Sequence, residues 1–174
     1  MLPTVWTIGH STRSLDEFTS LLSAHGIQSV ADVRRYPGSR RWPHFEGSAL
    51  EAALKARGLD SLWLPELGGR RVPRPDSVNT AWRSASFRGY ADHMETEEFA
   101  ESLMTLQSLA LGARTAIMCA EALWWRCHRA LIADALQWLG FRVLHIMSAT
   151  AVVSHPYTAA ANVSGDKLSY YGTG

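Results

Sequence analysis

The feature that most constrains this chain is the alternation of short β-rich runs with segments whose apolar residues recur at helical spacing. Val5-Trp6-Thr7-Ile8 is a β-rich run that ends at Gly9-His10-Ser11-Thr12. Ser14 followed by Glu17 has the spacing of a capping box. Leu15, Phe18, Leu21 and Leu22 then follow at helical spacing until Gly26 stops the helix. Ser29–Val33 reads as a second strand. A helix over 48–57 carries Leu50, Ala53 and Leu54 and stops at Gly58. Leu62-Trp63-Leu64 is a third strand, ended by Pro65. Thr96 caps a helix with Phe99, Leu103, Leu106 and Ala110 on one face. Arg114–Met118 is a fourth strand with Cys119 at its end. Ile132, Ala135, Leu136 and Leu139 mark a helix that stops at Gly140, and Arg142–Ile146 is a fifth strand. Such alternation builds right-handed βαβ units. The spacing therefore predicts one α/β domain over 1–174, with a mostly parallel sheet and helices on both faces in a Rossmann-like three-layer arrangement. From about residue 148 the tail is small and polar, with Ser164-Gly165-Asp166 as a turn between two extended pieces.

Bulk properties narrow the function classes. A chain of 174 residues, 47% of them hydrophobic, can bury an ordinary core. A net charge of +1 gives no global electrostatic case for a membrane surface or for nucleic acid. No apolar run has the length of a membrane span, and the N-terminus does not read as a secretory leader. Two cysteines, Cys119 and Cys127, are too few for a secreted disulfide scaffold. The expected setting is cytoplasmic, with both thiols reduced. The stretch from about 66 to 89, rich in Gly, Pro, Ser and Arg, reads as a long loop, a length that usually marks a functional lid or a disordered segment.

Of the 17 basic residues only Lys55 and Lys167 are lysine. Arginine carries a planar fork suited to phosphate and carboxylate. In a parallel α/β sheet ligands bind at the carboxyl ends of the strands. The arginines collect there: Arg34, Arg35, Arg40 and Arg41 after strand two, Arg70, Arg71, Arg74, Arg83 and Arg88 after strand three, Arg126 and Arg129 after strand four. Arg57, Arg114 and Arg142 lie dispersed near the opposite end. This asymmetry predicts an anion pocket with Arg34, Arg40, Arg41, Arg88, Arg126 and Arg129 as holders, helped by helix N-termini. The competing reading is solvated loop charge. Trp42, Trp82, Trp124 and Trp125 lie in the same loops, either to stack on a planar ligand or to clamp the loops to the core.

Met118-Cys119-Ala120-Glu121 opens a strand-to-helix turn that closes with Arg126-Cys127-His128-Arg129. Backbone N–H groups and arginines around a cysteine favour its thiolate. Together with Gly9-His10-Ser11, Asp32-Val33-Arg34, Pro65-Glu66-Leu67-Gly68-Gly69, Phe87-Arg88-Gly89-Tyr90 and His155-Pro156, this turn resembles the bacterial family named domain of unknown function 488. The resemblance spans nearly the whole chain and implies that His10, Asp32, Arg34, Cys119, Glu121, Cys127, His128 and Arg129 are its motif positions. It brings no activity with it.

Three function classes follow from these residues. The favoured one is an enzyme, a hydrolase or transferase acting on a small anionic substrate such as a nucleotide or a nucleic-acid fragment. Cys119, Glu121 and His128 would be its chemical groups, with His10 and Asp32 in support. Cysteine phosphatase chemistry is disfavoured: six residues separate Cys119 from Arg126 where the phosphatase signature has five, and Glu121 would repel a phosphate. Sulfur transfer is a further variant. The second class is a zinc or iron site using Cys119, Cys127 and His128; the sequence requires no cofactor, and a metal is the one it would accommodate. The third is a non-catalytic nucleic-acid-binding module. His145 reads as a hydrogen-bonded core histidine.

Overall fold

The computed structural model describes residues 1–172. Its main sheet holds β1 (Thr4–Gly9), β2 (Ser29–Asp32), β3 (Asp60–Trp63), β4 (Thr115–Cys119), β5 (Arg142–Ile146) and β6 (Val152–Ser154), in the order β3-β2-β4-β1-β5-β6. All pairings are parallel except β5–β6. The helices are α1 (Leu15–Ala24), α2 (Gly47–Ala56), α3 (Ala85–His93), α4 (Glu97–Gly112) and α5 (Arg129–Trp138). The chain steps from β1 through β2 to the β3 edge, then returns through β4 to β5. Right-handed crossovers place the helices of these two legs on opposite faces.

Side-chain alternation along each strand feeds the two cores. Trp6, Ile8, Val30, Ala116, Met118, Leu144 and Ile146 pack against Phe18, Leu22, Leu50 and Leu54 of α1 and α2. Val5, Ala31, Ile117, Cys119 and Val143 pack on the other face against Phe99, Leu103 and Leu106 of α4 and Leu131, Ile132 and Leu136 of α5. The three-layer α/β architecture with a mostly parallel sheet is therefore as expected. The Ser14–Glu17 capping box forms, and Thr96 caps α4 through the Phe99 amide. Ser164-Gly165-Asp166 turns between β7 (Asn162–Ser164) and β8 (Lys167–Ser169), an antiparallel hairpin.

The predicted 66–89 loop ends earlier. Its last residues belong to α3, capped by Ser84. Gly89 disguises this helix in the sequence, since glycine disfavours helix interiors. Its lack of a side chain is required here, because a Cβ would run into the Arg71 carbonyl. The remaining irregular segment is pinned by the buried Asp92 carboxylate. It accepts from the Arg74 amide at 2.8 Å, Ser77 Oγ at 2.6 Å and Asn79 Nδ2 at 2.7 Å. The edge strand β6, three residues long, carries too few positions to show a period.

β1 and β4 continue their pairing beyond the sheet, with the His10 amide on the Cys119 carbonyl and the Ser11 amide on the Ala120 carbonyl. This draws Gly9 against the next loop, where a Cβ would overlap the Glu121 carbonyl. Gly9→Ala is therefore expected to cost about 3 kcal/mol, in the range of overpacking a close-packed contact. A urea midpoint within error of the wild type would show that this approach is not tight.

Among the described residues no helix is long and apolar enough to cross a membrane.

Candidate functional site

β2 and β4 are neighbours whose following helices lie on opposite faces, so their connections diverge and leave a crevice above the strand ends. The crevice is a cleft of about 440 Å³. His10 comes from the end of β1, Arg34 to Trp42 from the loop after β2, and Gly69 and Arg70 from the loop after β3. Cys119, Glu121, Arg126, Cys127 and His128 come from the β4–α5 connection. A larger groove of about 550 Å³ lies beside α2 and β3, but it gathers none of the cysteines, histidines or arginines.

The two cysteines form its floor. Both are free, and their Sγ atoms are 3.1 Å apart. Cys127 immediately precedes the first turn of α5, and its sulfur receives the Arg129 amide at 3.4 Å. The hydrogen bond from Cys119, then the Arg129 and His128 charges, outweigh burial and pull the Cys127 thiol down to about 5. Burial pushes Cys119 far up. The Arg129 amide on its sulfur and the burial of Cys119 both favour the ionised form at Cys127 over Cys119. The sequence placed the reactive sulfur at Cys119; in the structure the Arg129 guanidinium lies near both sulfurs, and Cys127 is the one that also takes the Arg129 backbone amide.

The other predicted chemical groups converge unevenly. His10 is buried, stacks on Phe45 at 4.2 Å and donates Nδ1–H to the Ser11 carbonyl. Its Nε2 is left without a protein partner among the described residues. Burial lowers its pKa to about 4, so it is a neutral imidazole at pH 7. His128 donates Nε2–H to the Val33 carbonyl at 2.7 Å, and burial lowers its pKa. Its Nδ1 lone pair lies toward Gly69, where a Cβ would crowd it. Glu121 is exposed at the rim, and its carboxylate accepts the Leu123 amide. Asp32 is occupied: it takes Arg34 in a bidentate pair at 2.9 and 2.7 Å.

The arginines sort differently from expectation. Arg34 is buried, its guanidinium on Asp32 and the Phe45 carbonyl. Arg129 is 1% exposed; it donates to Thr7 Oγ1 at 3.1 Å and to the Glu121 and Ala122 carbonyls at 2.6 and 3.2 Å. It has no carboxylate partner among the described residues, so the thiolate is its countercharge. Arg40 and Arg41 are exposed and do not line the cleft, and Arg88 sits on α3, reaching the Trp82 carbonyl. Of the six expected holders only Arg126 lines the cleft with an uncommitted guanidinium. Arg35 and Arg70, which stood in the arginine-rich loops but were not singled out, line it as well. None of these three forms an ion pair among the described residues. Their position depends on how the loops fold back, which carries no local signal.

Among the described residues no three His, Cys, Asp or Glu side chains gather as a metal-binding group. The expected trio of Cys119, Cys127 and His128 is not assembled because the His128 ring is drawn to Val33. The tryptophans mainly clamp: Trp124 stacks on His145 at 4.3 Å and Trp82 packs on Phe87 and Tyr170.

A buried hydrogen-bond chain unseen in the sequence runs from Arg129 into the C-terminal tail. Arg129 can only donate, so Thr7 Oγ1 accepts from it and gives its own proton to His145 Nδ1 at 2.6 Å. His145 Nε2 then donates to His155 Nδ1 at 2.9 Å, and His155 Nε2 to Asp134 at 2.7 Å. An obligate donor at one end and a carboxylate at the other set both tautomers. The expectation of His145 as a bonded core histidine holds, and its pKa lies far below the ordinary histidine range because of its burial.

A protein-family model described as Domain of unknown function DUF488 matches residues 14–136, well over half of the chain. The protein belongs to this family. Asp32, Arg34, Cys119, Glu121, Cys127, His128 and Arg129 fall inside the DUF488 match, whereas Thr7, His10, His145, His155 and Tyr170 lie outside it. No curated protein and no solved structure matches the chain.

Proposed function

We propose that this DUF488 protein is an enzyme that acts on a small anionic substrate through the thiolate of Cys127. The observation that carries the reading is the Cys127 environment: the Cys119 sulfur at 3.1 Å, the Arg129 amide at 3.4 Å and the nearby start of α5, with Cys127 itself lining a cleft. Mere binding has no need of a stabilised thiolate. Arg35, Arg70 and Arg126 hold the anion, as phosphate or carboxylate. His10, neutral and with the Nε2 lone pair free, is the proton acceptor for the reacting group. Glu121 at the rim is the second acid–base group. The substrate bears its charge at one end and its electrophilic atom about where the two sulfurs face the cleft. A nucleotide remains within this class.

The test is the rate of Cys127 alkylation by iodoacetamide against pH. The rate should be half-maximal near pH 5 and should shift upward in Cys119→Ala, which removes the S–H donor. Millimolar phosphate should slow alkylation in the wild type and not in Arg126→Ala. A rate that climbs only near the ordinary thiol value of about 8.5 would sink the thiolate reading.

A further inference from the structure

A single thiolate nucleophile has no use for a second thiol in contact with it. Here Cys119 is held against Cys127, their sulfurs only about 1 Å farther apart than a disulfide bond requires. Both cysteines belong to the cleft, Cys127 half-buried and Cys119 buried behind it, and neither is bonded to another cysteine. Around them stand three guanidinium groups, Arg35, Arg70 and Arg126, against one rim carboxylate, Glu121. We propose that the cleft is a thiol–disulfide exchange site whose oxidising substrate is a low-molecular-weight disulfide carrying carboxylates. This rests on Cys127 as the nucleophile and names the electrophile as a sulfur atom.

The chemistry closes in two steps. The Cys127 thiolate attacks one sulfur of the small disulfide. A mixed disulfide forms, the substrate S–S bond breaks, and half of the substrate leaves as a thiolate. The negative charge on Cys127 is then gone, which removes its repulsion of a charge on Cys119, and the buried Cys119 gives up its proton only as it attacks. Cys119 Sγ attacks Cys127 Sγ, the mixed disulfide breaks, and the second half leaves, taking up the Cys119 proton as a thiol. Two electrons pass from the dithiol to the substrate. The arginines contribute by holding the substrate carboxylates, and the two sulfurs contribute by being already adjacent.

The experiment uses the full-length reduced protein with glutathione disulfide, followed by intact mass after acid quenching. The wild type should lose two hydrogens without accumulating an adduct. Cys119→Ser should retain one glutathione, and Cys127→Ser should react at least ~100-fold more slowly, since only the thiolate attacks. Corrected for the reactivity of each reagent with a free thiol, glutathione disulfide should react at least ~10-fold faster than neutral bis(2-hydroxyethyl) disulfide, and that preference should collapse in Arg70→Ala/Arg126→Ala. A wild type that never loses two hydrogens, or that stops at the mixed disulfide, overturns the proposal. Lack of preference for the charged disulfide overturns its substrate class. These failures are separate from failure of the thiolate: a protein that alkylates rapidly near pH 6 yet forms no internal disulfide loses only this inference.

Discussion

Asp134→Ala is expected to destabilise the fold by about 3–5 kcal/mol, the range for leaving several buried donors unsatisfied after partial relaxation. Asp134 lies on α5 with a fully buried carboxylate. One oxygen accepts His155 Nε2 at 2.7 Å and the Thr158 amide at 3.0 Å; the other accepts Thr158 Oγ1 at 2.6 Å and Tyr170 Oη at 2.8 Å. The alanine strands four donors, three of them on side chains, and each unsatisfied buried donor costs about 1–3 kcal/mol before relaxation. Relaxation is available because all four belong to the segment after β5, which can loosen and let water in. Asp134→Asn keeps one accepting oxygen and should fall between the two. Urea denaturation measures the loss, and limited proteolysis reads the tail, which should become cleavable near residues 155–170 before the sheet does. A loss below about 1.5 kcal/mol would mean that the carboxylate tolerates exposure and that the tail is held by its apolar contacts alone.

The second large effect is in the pH dependence of stability. Cys127 has a thiol value depressed to about 5 in the folded chain, against an unfolded value near 8.5. Between these values the unfolded chain binds a proton that the folded chain does not. The stabilisation is therefore fully present above about pH 8.5 and is lost as pH falls toward 5, with a slope of up to about 1.4 kcal/mol per pH unit. His10, also depressed by burial, adds a slope of the same sign, but only below its unfolded value near 6.5. The window from pH 7 to 8.5 therefore lies above the histidines and leaves the two cysteines, with Cys119, raised by burial, giving a small slope of opposite sign near 8.5. There the wild type should gain about 1–2 kcal/mol and Cys127→Ser should not gain. Parallel profiles for the two proteins would place the proton on Cys127 and remove Arg129 as the countercharge of a thiolate.

The family motif and the site share an origin in the strand-end loops, which is why much of the site was legible. Helical spacing, the Ser14–Glu17 box and the stop glycines depend on neighbours within a turn, and the elements they mark formed with shifts of one or two residues. Arg142–Ile146 appeared as read. The helix at Ala85–His93 did not show, because Gly89 serves a packing contact that works against local propensity. The same division runs through the site. Cys119, Glu121, Arg126, Cys127 and His128 were picked from one connected turn, and the structure brings all five to one cleft.

What the sequence determined by itself is the order of strands and helices, the end of the sheet at which loops carry arginine and cysteine, and the family. Those rest on local spacing and composition. Only the tertiary structure decided which charges are free and which sulfur is ionised. Arg34 and Arg129 look like Arg35 and Arg126 in the chain. Burial against Asp32 and against the loop carbonyls commits the first two, while Arg126 stays exposed at the cleft and Arg35 gives only one N–H to the Arg70 carbonyl. Cys119 and Cys127 become unequal only in the fold, which buries Cys119 in the core and brings the Arg129 backbone amide to Cys127. The His145–His155–Asp134 chain exists only because the tail returns across β5. An ionisable group takes its character from the field and solvent around it, and those are set by residues distant in sequence.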